Sequence, residues 1–89
     1  MPIAGNPKKL AYSVAQGFQQ FTPSSLRAYA PEELKVLLFN LNIVLREVRG
    51  TSVPLEDVEN LKEKNMKIHR LSQAISTIQS YAALKGHRI

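Results

Sequence analysis

The sequence predicts an all-α protein: an unequal antiparallel helical hairpin over 31–49 and 54–85, preceded by an amphipathic helix over 7–21. Three observations lead there. Prolines stand where helices can begin, glycines stand where they can end, and apolar residues between them recur at intervals of three and four. No stretch alternates as a strand does, and no internal repeat or low-complexity tract is present.

The first helix opens at Asn6-Pro7, an N-cap followed by a residue whose missing N–H has no partner in the first turn anyway. Leu10, Val14, Phe18 and Phe21 share one face of it. Gly17 lies on that face, where it would let two helix backbones approach. Thr22-Pro23 repeats the starting device for a short helical turn over 23–29.

Pro31 opens the next helix, with Glu32 and Glu33 in the first turn, where the helix macrodipole favours acids. Its main stripe is Leu34, Leu37, Leu38, Leu41, Leu45 and Val48. Val36, Phe39 and Ile43 make a second stripe about 180° away. One partner helix cannot cover both, and a large apolar side chain left exposed forgoes about 1.5–3 kcal/mol. Asn40 and Asn42 flank the second stripe, where an asparagine can fix the register of a helix seam.

Gly50 reads as a left-handed C-cap, and a linker of about four residues to Pro54 favours an antiparallel turn. Glu56 and Asp57 then occupy the first turn of the long helix, which closes at Gly86. The two arms would be roughly 28 Å and 48 Å long. Pairing outward from the loop sets Leu45 near Val58, Leu41 near Leu61 and Leu34 near Ile68. Everything after Ser72 overhangs the shorter arm, yet Leu61, Ile68, Leu71, Ile75, Ile78 and Ala82 continue as one apolar stripe within about 100°. Lys64 falls in that stripe, as a snorkelling stem or as a cation awaiting a carboxylate.

A chain of 89 residues with 44% apolar side chains and no cysteine forms one small globular domain with neither disulfide nor thiolate chemistry. It divides into an N-terminal helix and turn (1–30), the hairpin (31–86) and a tail (87–89). Such chains gain stability from a partner. The second stripe of the 31–49 helix therefore suggests a homodimer built on Val36, Phe39 and Ile43, in a bundle with flanking N-terminal helices. A monomer whose N-terminal helix covers that stripe and a chain with an obligate partner of another kind are the alternatives. Ile75, Ile78, Tyr81 and Leu84, on the overhang, form a second zone for contact with another protein.

The net charge of +5 is unevenly spread. Residues 1–31 hold three cations and no acid, residues 32–63 four cations against seven acids, and residues 64–89 five cations and no acid. Acids that open helices and bases that close them account for most of this. The alternative is a strip of Lys64, Lys67, Arg70, Lys85 and Arg88 that meets the phosphates of a nucleic acid. That strip is short, lacks interleaved aromatics, and does not sit in a helix-turn-helix.

Catalytic chemistry is not expected. Glu56, Glu59 and Glu63 line one flank of the long helix, but Lys62 and Lys64 interrupt them and no histidine stands at ligand spacing. His69 and His87 have no orienting acid nearby. The hydroxyls of Ser72, Ser76, Thr77 and Ser80 read as a weakly polar outer face. No phosphate loop or nucleophile elbow occurs, and the most apolar run, 36–45, is too short to span a membrane. Residues 1–31 echo a transit peptide faintly, but their helix punctuation argues for folded structure. The expectation is a cytoplasmic, non-enzymatic protein without cofactor or small-molecule substrate, whose role is assembly, adaptation or regulation.

Overall fold

The computed structural model describes residues 6–86, and within them the chain is all-helical, with four helices and no strand. They are α1 (Pro7–Ala15), α2 (Pro23–Leu26), α3 (Pro31–Gly50) and α4 (Val58–Lys85). The molecule's 45 Å long dimension is about that of α4, whose 28 residues rise roughly 42 Å. α3 packs against α4, α1 packs on both, and α2 packs on α4.

The proline starts at Pro7, Pro23 and Pro31 are as the sequence suggests. The Asn6 side chain accepts from the Lys8 N–H at 2.8 Å. Thr22 and Ser25 form a reciprocal capping box, each side chain accepting from the other's backbone N–H. At α3 the cap residue is Ala30, which has no acceptor of its own. Glu33 reaches back instead, its Oε1 accepting from the Ala30 N–H at 2.8 Å.

Four boundaries differ from the sequence expectation; one is the short turn expected over 23–29, whose helix α2 closes at Leu26. α1 ends at Ala15 rather than continuing to 21, because Gly17 adopts a left-handed φ of +85°. The Phe18 N–H bonds the Ser13 carbonyl at 2.9 Å and the Gly17 N–H bonds that of Val14 at 3.1 Å, a Schellman closure. Phe18 is consequently 80% exposed, while Phe21 turns into the core from the connecting segment. Gly50 is the last helical residue, not a left-handed cap. Thr51 closes α3 by donating its hydroxyl to the Glu47 carbonyl at 3.1 Å.

The long helix starts at Val58, not Pro54. Asp57 is its N-cap, accepting from both the backbone and side-chain amides of Asn60. The Asp57 N–H closes a turn onto the Pro54 carbonyl at 3.0 Å. Val58 is exposed and takes no part in the core. A carboxylate that satisfies the first-turn N–H groups decides the start more strongly than proline's fixed φ, which suits a turn equally well.

The buried side chains form one cluster. α3 contributes Leu34, Leu37, Leu41 and Leu45, with Leu38 and Val48 at the edge, and also Val44. Val44 widens the stripe because α1 packs on that side. α1 contributes Ala11, Val14 and Ala15, and α4 contributes Leu71, Ala74, Ile78 and Tyr81. Leu26 of α2 is fully buried, flanked by Phe21 and Tyr29, whose rings meet edge to face at 6.3 Å. The N-terminal third of the chain thus covers the second half of α4.

Candidate association surface

With α1 and α2 committed to the core, no described residue covers the outward side of α3. Phe39 is 65% exposed and Val36 45% exposed, and Ile43 is half-buried. On a wheel of 100° per residue, Arg46, Phe39, Glu32, Ile43 and Val36 fall within an arc of about 80°. Glu32 and Arg46 are both exposed. Asn40 and Asn42 do not reach outward: their side-chain amides donate to the Val36 and Leu38 carbonyls of their own helix.

The boundary of this face is set by a polar clasp. Tyr12 and Lys8, one turn apart on α1, both engage Glu47 on α3: the phenol donates to Glu47 Oε2, and Lys8 Nζ lies 3.2 Å from Oε1. The Glu47 carboxyl is held below its usual range by the Tyr12 hydrogen bond first and by Lys8 second. The same contacts raise the Tyr12 phenol and the Lys8 ammonium above theirs. The sequence reading did not identify this trio, although one signal pointed to it. Glu47 sits near the end of α3, where the macrodipole disfavours an acid, so it calls for a donor from elsewhere.

The proposed second contact zone separates into inside and outside. Ile78 and Tyr81 are buried within this chain, and Ile75 is half-buried. Ile78 and Tyr81 belong to the core cluster and Ile75 packs against it. Leu84 alone of the four is presented, at 81% exposure.

The basic strip is divided too. Lys64 Nζ donates to the Thr51 carbonyl at 2.7 Å, at the C-terminal end of α3. The cation is therefore matched to a helix end rather than waiting for a carboxylate. Arg70 Nη1 donates to the Ala15 carbonyl, at the last residue of α1, at 3.1 Å, and lies 3.9 Å from Glu63 Oε1. Lys85 Nζ sits 6.0 Å from the Tyr81 ring centroid. Lys67 is half-buried; Arg88, like His87 and the rest of the tail, lies outside the described residues.

Two surface hollows flank these cations. One of about 280 Å³ lies between Gly17, Gln20, Phe21, Arg70 and Gln73, and one of about 300 Å³ lies beside the 51–57 loop near Lys64 and Lys67. In each, a cation is already held by a backbone carbonyl. Glu56, Glu59 and His69 are exposed. Among the described residues no group of three or more His, Asp or Glu side chains could hold a metal, and no helix is long and apolar enough to cross a membrane.

Compared with protein-family models, curated proteins and solved structures, the chain shows no match.

Proposed function

We propose that this protein is a small non-enzymatic association module, an unequal α3–α4 hairpin that self-associates through the outer face of α3 and serves assembly or regulation. The observation that carries this reading is the exposure of Phe39 and Val36 after every described element of the chain has been placed. Burying such side chains against a second copy stabilises a dimer by about 25 cal/mol for each Å² of apolar surface removed from water. A single helix seam is small beside a standard interface of about 800 Å² per partner, so the dimer is of the weak, concentration-dependent class. Leu84, on another side of the molecule, offers a separate contact for a different protein.

The alternative, nucleic-acid contact along α4, draws less support. Lys64 and Arg70 close helix ends within the fold, which leaves fewer cations free to meet phosphates.

Light scattering behind a sizing column tests the reading. A mass that rises with concentration toward two chains and persists at high salt supports an apolar seam. A single-chain mass throughout overturns it. A salt-dependent gel shift of nucleic acid, lost in Lys67→Glu, would favour the alternative.

A further inference from the structure

Resting on the self-association reading, the inference concerns how the two copies meet. We infer that α3 pairs with α3 of a second copy in antiparallel fashion, about a two-fold axis at Phe39, with Glu32 opposite the partner subunit's Arg46.

The order of residues along the exposed arc carries the argument. Counting outward from Phe39, the apolar neighbours are Val36, three residues toward the N-terminus, and Ile43, four residues toward the C-terminus. Seven residues out on either side stand opposite charges, Glu32 and Arg46. The face is therefore nearly palindromic in polarity and reversed in charge. A two-fold axis through Phe39 lays Val36 on the partner's Ile43 and sets each Glu32 against an arginine, making the same ion pair twice. This is the self-complementarity that an isologous interface requires.

A parallel pairing in the same register stacks Glu32 on the partner's Glu32 and Arg46 on the partner's Arg46. Like charges then meet at both ends of the seam, and the two macrodipoles align unfavourably. The asparagine amides cannot set register in either case, since both are turned back on α3. Neither Glu32 nor Arg46 forms an ion pair with another described residue of its own chain, so both are free to meet a partner. The clasp at Glu47 holds α1 at the edge of the arc, and among the described residues Phe39 and Val36 stay exposed.

The chain has no cysteine, so single cysteines can be placed without background. Glu32 and Arg46 are about 21 Å apart along α3. Glu32→Cys and Arg46→Cys chains, oxidised or bridged with a short bismaleimide after mixing, are expected to give a covalent dimer containing one of each. Neither variant alone should cross-link efficiently. Cross-linking of either variant with itself would overturn the geometry in favour of parallel pairing.

A second measurement uses charge. Glu32→Arg or Arg46→Glu alone should weaken dimerisation roughly three- to tenfold, and the double variant should restore it. Both sites are exposed, so circular dichroism should show the fold retained. A dimeric mass with neither mixed cross-link nor charge rescue would overturn the antiparallel arrangement alone. A single-chain mass at every concentration would overturn self-association and this geometry with it.

Discussion

Arg70 on α4 donates to the carbonyl of Ala15, the last residue of α1, across 55 positions of sequence. The same guanidinium occupies the space beside Gly17, where an added Cβ would come within 3.1 Å of Cζ. The end of α1 is thus fixed by two things together: a left-handed glycine that turns the chain, and a cation that meets the unpaired carbonyl.

Gly17→Ala should therefore destabilise the protein by about 1–2 kcal/mol, from the left-handed backbone and from displacement of Arg70. Arg70→Met, which keeps an apolar stem, should cost about 0.5–1.5 kcal/mol through the lost hydrogen bond. Urea unfolding followed by circular dichroism measures both. An unchanged midpoint for Gly17→Ala would mean that α1 ends for another reason.

The clasp gives a pH signature. Glu47 is lowered in the fold, so its contribution is present above its unfolded pKa of about 4.3 and fades as pH falls through the folded value. Lys8 and Tyr12 are raised, so theirs are present below the unfolded values of about 10 and fade as pH rises through the folded ones. The difference in thermal midpoint between the native chain and Glu47→Gln should be greatest between about pH 5 and 9 and shrink at both extremes. A difference that stays flat from pH 3 to 11 would show that the trio is not formed.

Core and surface apolar residues should behave oppositely. Ile78 is fully buried, so Ile78→Ala is expected to cost about 2–5 kcal/mol. Phe39→Glu should leave the dilute monomer folded, with stability changed by less than about 0.5 kcal/mol. It should also reduce the mass at high concentration to one chain. Loss of helicity in dilute Phe39→Glu would show instead that Phe39 belongs to the monomer's core.

The start of α4 can be tested with two substitutions. Asp57→Ala removes the acceptor for Asn60 and should cost about 1 kcal/mol. Pro54→Ala, in the preceding turn, should cost less. The reverse order would return the helix start to Pro54.

Much of the fold is legible in local chemistry. Asn6-Pro7, Thr22-Pro23, Pro31 and Gly86 act where the sequence places them, because caps answer to the few residues beside them. Gly17 shows the limit. Its position on the apolar face suggested two backbones in contact, but the same glycine can end a helix, and only the arrival of Arg70 shows what fills the space it leaves. Tyr81 lies off the stripe of its own helix by spacing, yet it is buried in the common cluster; periodicity along one helix carries no information about segments that pack on it from elsewhere in the chain. The second stripe of α3 was readable as a stripe from spacing alone. That no described residue covers it depends on where α1 lands, which is set by long-range contacts of the kind Glu47 makes.

The carbonyl ends of both α1 and α3 are closed by cations from α4, Arg70 and Lys64. α4 is also the last of the four helices to be synthesised. On the ribosome, a chain that has emerged only as far as the 51–57 loop presents α1 and α3 with Leu34, Leu37 and Leu41 lacking their main cover and two helix ends lacking their donors. Lys64 and Arg70 arrive with the first half of α4, but Ala74, Ile78 and Tyr81 join the buried cluster only when the second half has emerged. The interval before that is when the nascent chain is most exposed to chaperones and to mispairing with its neighbours.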